Sequence, residues 1–455
     1  MPRSDTRRRK RFPFALKLAL VFLVAASAVL LLLAADLQRA RKWRLEKLRA
    51  AGIPTSMAEI APPPVPDEEN AAILYDKATK LLELDHADEE QLDQFVRNDP
   101  LGSRVRLQAE IKAILARNER ALALIKRAAA MPRCRFPTDW TQPPPQIMFP
   151  QFGRLRDYAR LLAADVLIAI ADGDSRRAVE SLRAGIGLSR HAASEPVIIG
   201  FFASGSMLRI ALATLPDLIA RADLDPDVCR ALFDDLQGVD LYAYFRGALA
   251  GEAAQTLWLF DIANRRPGEA REALGFDETD LDPGTRVALG LYFSPLGRPI
   301  RSREEINYLE TIEAMLALAD KPYRRNQKQW TALADKMDGA PSHHVLTRLL
   351  VPGIRQTALS RDDRVAFRNA AQVALALEAY HTTHGGYPDS LDALQRYPGW
   401  RLPDDPFSGK PFGYERRGDG CVLSSWGEDL DDDGGRPYDP RAYPRDGDLV
   451  WEFVK

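Results

Sequence analysis

From Leu18 to Ala35 the chain runs for eighteen residues without a charge, and Ser27 is the only polar side chain among them. As a helix rising about 1.5 Å per residue, this run nearly crosses a hydrocarbon core of about 30 Å. Lys17 lengthens the span by snorkelling its ammonium toward the headgroups. A basic block, Arg7 to Arg11, precedes it, and Arg39, Arg41, Lys42 and Arg44 follow. Ala26-Ser27-Ala28 offers a signal-cleavage pattern, but cutting there would leave the greasy run Val29 to Ala34 on the new N-terminus. The retained single-pass anchor is the better reading. The basic tail before the span favours a cytosolic N-terminus, which exports everything after about residue 36. The adjacent arginines are a poor match to a twin-arginine signal. The expected location is the bacterial inner membrane, with the bulk of the chain on the periplasmic side.

The rest of the chain is ordinary globular sequence. Its 455 residues suggest about three domains. With 62 Lys+Arg against 64 Asp+Glu there is no chain-wide basic field, which argues against nucleic acid as a partner. The 46% hydrophobic and 28% charged content disfavours a polytopic membrane protein and wholesale disorder alike. Cys134, Cys229 and Cys421 are too few and too scattered for a disulfide framework or a thiolate zinc site. Cys134 and Cys229 are open to pairing in an oxidising compartment, although no spacing brings them together.

Four regions follow: an anchor over 1–50, a proline-rich linker over 51–66, an α-helical body over 67–340 and a C-terminal domain over 361–455. Ala61-Pro62-Pro63-Pro64-Val65-Pro66 reads as a semi-rigid spacer. Asp67 is the expected cap of a helix whose Ala71, Leu74, Ala78 and Leu81 share a face. Leu107, Ile111, Ile114, Leu122 and Ile125 follow helical spacing on either side of Asn118. Residues 154 to 192 resemble a tetratricopeptide-like hairpin. Leu161, Ala164, Ile168 and Ala171 form one stripe, Asp172-Gly173-Asp174 the turn, and Ala178, Leu182 and Ile186 a second stripe. No second copy appears at a fixed period, so a solenoid is an open expectation. Ser302 and Glu305 have capping-box spacing for a helix through Ala319.

The body carries little that looks like chemistry. His343 and His344 are adjacent, a poor spacing for chelating one metal, and His191 is placed just past a helix end. Arg154, Arg156 and Asp165 read as a structural ion-pair set. No G-x-S-x-G, H-E-x-x-H or phosphate-binding glycine loop is present.

The last ninety-five residues carry the sharpest pattern. A helix bearing Phe367, Ala370, Val373, Leu377 and Tyr380 runs into a Gly386-Tyr387-Pro388 corner. Next comes Leu402-Pro403-Asp404-Asp405-Pro406-Phe407, continuing through Gly409, Pro411 and Tyr414. Two strand-like segments, Phe412 to Glu415 and Cys421 to Ser425, precede Ser425-Trp426-Gly427-Glu428-Asp429 and Gly434-Gly435. These residues resemble the C-terminal domain of the major pseudopilins of type II secretion systems, over about one fifth of the chain. The resemblance implies a small α+β domain whose last loop binds calcium.

The residues support that loop independently. Asp429-Leu430-Asp431-Asp432-Asp433-Gly434 sets alternate carboxylates on a tight turn, the hard oxygen donors that suit Ca²⁺. Position twelve is Pro440, so this is no EF-hand. The candidate ligands are Asp429, Asp431, Asp433 and Asp439, with Asp446 and Asp448 as alternatives to Asp439. A solvated acidic tail is the competing reading. His381 and His384 fall at the helix-end corner, away from the loop.

The chain departs from pseudopilins in two ways. Its hydrophobic span lies more than three hundred residues upstream, and Arg11-Phe12-Pro13-Phe14 lacks the Gly-Phe cleavage site and following Glu. A filament subunit is therefore not expected. Two functions remain in view. One is a non-enzymatic envelope scaffold or interaction protein with a calcium-stabilised module, acting on an unidentified protein partner beside type II-like secretion. The other is an envelope hydrolase whose site converges in the helical body around His191, His343 or a perturbed carboxylate.

Overall fold

The computed structural model describes residues 14–97, 102–275, 283–339, 344–350, 353–395, 399–439 and 445–454. The Arg7–Arg11 block, His343, Pro440 and the side chains of Lys17, Ala26 and Ser27 lie outside the described residues. The fold is mainly helical, with one small sheet near the C-terminus. Contacts divide it into two compact units. Residues up to 53 join 259–311 and 341–347; residues 54–258 join 312–340 and 348–455. This partition differs from the expected regions, because 348–455 shares a unit with most of the helical body.

In the first unit a single helix, Phe14–Ala50, contains the uncharged run. Leu18, Val21, Phe22, Leu32 and Leu33 on it are exposed, whereas Leu45 and Leu48 are buried. The basic stretch after the run is partly spent on ion pairs. Arg41 Nε donates to Glu305 Oε1 at 2.7 Å, and Arg44 Nη2 to Glu310 Oε1 at 2.6 Å. The capping-box expectation at Ser302 is corrected here. The helix Arg298–Leu318 starts four residues earlier, with Pro299 in its first turn, and Glu305 turns to Arg41.

In the second unit Asn70, rather than Asp67, caps the helix Ala71–Leu81, its side chain accepting from Ala72 N at 3.2 Å. Asp67–Glu69 forms a single 3-10 turn instead. The periodic stretch around Asn118 is two helices, Gln108–Arg117 and Glu119–Ala129. Asn118 breaks it by using its side chain to hold Glu83, accepting from Glu83 N at 2.7 Å and donating to Glu83 O at 3.0 Å. The expected hairpin is present as Gln151–Ala171 and Ser175–Ala192, with Gly173 at φ +75° and Asp174 capping Arg177 N at 3.0 Å.

Among the described residues, Ile198–Arg221 is a stretch long and apolar enough to cross a membrane. It is more than half buried and broken at Ala213–Thr214 into the helices Ile198–Leu212 and Leu215–Arg221. Such burial and interruption suit a core element. All three cysteines are free and buried, so Cys134 and Cys229 do not pair.

The helix Ile354–His384 ties the C-terminal residues to this unit, packing on Pro226–Gln237 and Gln327–Asp338. Alanines let it sit deep: Ala366, Ala370, Ala376 and Ala379 are fully buried. Three antiparallel strands follow in the order β1 (Gly413–Arg417), β2 (Gly420–Ser425) and β3 (Leu449–Phe453). Tyr414 pairs with Leu423, and Leu423 with Trp451. The acidic loop is the β2–β3 connection.

Candidate metal centre

The loop is held closed by Asp448, at the foot of β3. Its carboxylate accepts from Gly435 N at 2.6 Å and Asp433 N at 3.3 Å, while its own backbone exchanges hydrogen bonds with Arg436 O and Tyr438 N. Gly447, at φ +120°, lets the returning strand pass Tyr438 closely, because a Cβ there would meet the Tyr438 backbone. Gly447 N donates to Asp429 Oδ2 at 2.6 Å, so the strand that closes the loop also orients its first carboxylate.

Within this frame one oxygen each of Asp429, Asp431 and Asp433 lies within 4.8 Å of the others. Calcium–oxygen bonds run about 2.3–2.6 Å, so one point between the three carboxylates can serve them all. Asp433 Oδ2 is buried and has no hydrogen-bond partner. A buried anionic oxygen without a donor is costly, and a cation relieves it. The other oxygen, Asp433 Oδ1, is taken by Arg436 through Nε at 3.2 Å and Nη2 at 2.5 Å, and Arg436 also reaches Asp446 Oδ2 at 2.9 Å. Burial holds the Asp429 carboxyl above its ordinary range, and the Asp431 charge adds to this. Burial does the same to Asp448, with Asp432 and Asp433 contributing. The donor set fits a hard divalent cation.

Three of the four expected ligands are therefore together. Asp439 is exposed and outside the group. Of the alternatives, Asp446 is engaged by Arg436 at Oδ2 and Asp448 by backbone N–H groups at both oxygens, and neither belongs to the convergent group.

The other sequence candidates have structural surroundings. His191 lies in the last turn of Ser175–Ala192, not beyond it, and is buried. Its Nδ1 meets the Tyr75 hydroxyl at 2.8 Å and its Nε2 the Met131 carbonyl at 2.9 Å. Burial brings its pKa down to about 4, so the ring is neutral, donating from Nε2 and accepting at Nδ1. His344 is buried with Nε2 3.5 Å from Asn307 Nδ2. Asp165 is fully buried against Lys126 Nζ at 2.8 Å, Arg177 Nε at 2.9 Å and Ser181 Oγ at 2.5 Å, the ion-pair role expected of it; Arg154 and Arg156 are exposed.

One perturbed group escaped the sequence reading. Glu195 is buried, accepts from Thr138 Oγ1 at 2.9 Å, and has its pKa raised by burial to about 7. Its only sequence signal is an acid in an otherwise apolar stretch.

Comparison of the chain with protein-family profiles, curated proteins and solved structures returned no match.

Proposed function

We propose that this protein is a single-pass bacterial envelope protein with a non-enzymatic scaffolding or interaction role, whose C-terminal module is stabilised by calcium. The observation that carries the reading is the convergence of Asp429, Asp431 and Asp433 around a buried, unpartnered Asp433 Oδ2. Bound calcium would draw the three carboxylates together and offset their mutual repulsion, stabilising the folded loop by binding it selectively. Asp448 and Gly447 position the loop for that step. The exposed apolar residues from Leu18 to Leu33 support the anchor, and the extracytoplasmic orientation would give the loop access to abundant calcium. The pseudopilin resemblance of the C-terminal motifs supports, as part of the same proposal, a role beside type II-like secretion with a protein as its partner.

The hydrolase alternative loses its histidine base at His191, since both ring nitrogens are engaged and the ring is buried. The test is thermal unfolding of the full chain in detergent, in millimolar calcium and in chelator. A melting temperature several degrees higher with calcium, abolished by Asp431→Asn, is the expected result. Identical melting in both conditions would remove the calcium module from the account.

A further inference from the structure

Arg361 and Arg364 lie one turn apart on the helix Ile354–His384, and only one of them is complete. Arg361 is fully buried, donating to Ala319 O at 3.0 Å, Lys321 O at 2.8 Å and Asp362 Oδ1 at 2.8 Å, so hydrogen bonds and a counter-charge both meet it. Arg364 has no such carboxylate. Its Nη1 donates to Ser360 O at 2.6 Å, while its Nε is buried without a partner. Its guanidinium carbon sits 4.9 Å from the Phe202 ring centre and 5.7 Å from that of Phe201. Desolvation pulls its pKa down and Asp363 opposes that, but a guanidinium keeps its proton in proteins. The protein therefore holds a permanent positive charge largely out of water with a donor to spare, which is unfavourable unless an anion completes it.

Arg364 also lines, with Gly205, Ser206, Leu208, Arg209 and Phe367, a cavity of about 130 Å³. Gly205 makes the arrangement possible, because a Cβ there would overlap the Arg364 Cδ and Nε. Arg209 lies 3.7 Å from the Phe367 ring centre and pairs with Asp363 Oδ2 at 2.9 Å. The nearby charges are Arg209, Arg364 and Arg445 against Asp363 and Glu428, and Glu428 is already paired with Arg445 at 3.0 Å. One positive charge is left over, on Arg364.

We propose that this cavity binds one small oxyanion, held by the spare guanidinium donors of Arg364 with Arg209 at the same wall. A volume well below the roughly 300 Å³ at which drug-sized pockets begin suits a single tetrahedral oxyanion and not a nucleotide. The proposal is independent of the calcium loop.

Equilibrium dialysis of the full chain in detergent with radiolabelled inorganic phosphate tests it, in chelator and at constant ionic strength set with chloride. The expected result is saturable binding at one site per chain. Arg364→Met should weaken it at least tenfold and Arg364→Lys several-fold, because lysine keeps the charge but loses the fork of donors. Gly205→Ala should weaken it as well, by displacing the Arg364 stem. Glycerol phosphate as competitor separates sources of the same chemistry: displacement at lower concentration than unlabelled phosphate identifies a phosphomonoester site, and weaker displacement a free-ion site. Should Arg364→Met fail to fold, the parent titration and Arg364→Lys decide the matter. Absence of saturable binding to the parent, or a parent-like affinity in Arg364→Lys and Gly205→Ala, overturns the proposal.

Discussion

The Asp405 turn and the 429–448 loop are both acidic and both lie at the C-terminal end of β2, yet their carboxylates are treated in opposite ways. Asp405 is almost fully buried and its oxygens accept from Phe407 N at 3.1 Å, Ser408 N at 2.9 Å, Trp426 N at 3.4 Å and Ser425 Oγ at 2.6 Å. Four protein donors leave it no use for anything external. In the loop the donors are unevenly shared, and Asp433 keeps one buried oxygen without any. A buried carboxylate with its donors supplied is part of the scaffold. A cluster with donors missing, and oxygens within 4.8 Å, is where a cation belongs.

This contrast can be broken by substitution. Asp405→Ala should have the largest effect, roughly 4 kcal/mol of lost stability, because it orphans buried N–H groups that water cannot reach. Calcium should not rescue it, as chemical denaturation with and without the ion would show. Parity between this variant and the parent would mean that the turn is held by packing alone.

The next effect concerns the pair His191 and Glu195, whose shifts run in opposite directions. His191 is depressed from 6.5 to about 4, so it contributes stability above pH 6.5 that is lost as pH falls toward 4. Glu195 is raised from 4.5 to about 7, so its contribution is present below pH 4.5 and lost as pH rises toward 7. Each amounts to about 3 kcal/mol, and between pH 4.5 and 6.5 they oppose one another. His191→Gln should unmask Glu195, giving stability that declines from pH 4.5 to 7 in denaturation series. A profile parallel to the parent's would contradict both assignments.

Smaller still is the change at the loop itself. Asp431→Asn should lower calcium affinity at least tenfold, while leaving the melting temperature in chelator unchanged or slightly raised, since it removes a repelling charge. Arg436→Gln should do the reverse by a few-fold in affinity, because Arg436 occupies Asp433 Oδ1 as a built-in cation. Calcium binding weakened by Arg436→Gln would show that the arginine organises the site instead of competing for it.

Local patterns were readable in the sequence; long-range closures were not. Gly173 and Asp174 mark their turn through side-chain chemistry within four residues, and Cys421 to Ser425 reads as a strand from its own apolar run. The alternation Asp429, Asp431, Asp433 likewise predicts convergence from neighbours alone. Asp439 lies outside the convergent group, because the loop is closed by Asp448, whose partners are backbone N–H groups with no sequence signature. The strand β3 lies beyond the acidic loop, where Leu449 to Phe453 combines β-favouring Val450, Trp451 and Phe453 with pairing to β2. His191 is buried within the last turn of its helix and not just past its end, and its partner Tyr75, 116 positions away, leaves no local signal of this.

The C-terminal boundary shows the same limit. Arg361 and Asp362 belong by sequence to the C-terminal domain, but Arg361 donates to the Ala319 and Lys321 carbonyls and Asp362 accepts from Tyr323 N at 2.5 Å. A fragment starting near residue 360 would strip these buried charges of their partners, so the calcium question belongs to the whole protein.

Isothermal titration of the detergent-solubilised full chain with calcium addresses the central claim most directly. The account predicts one saturable site per chain, lost in Asp431→Asn and retained in the exposed control Asp439→Asn. Binding that survives Asp431→Asn, or no saturable binding to the parent, would contradict it.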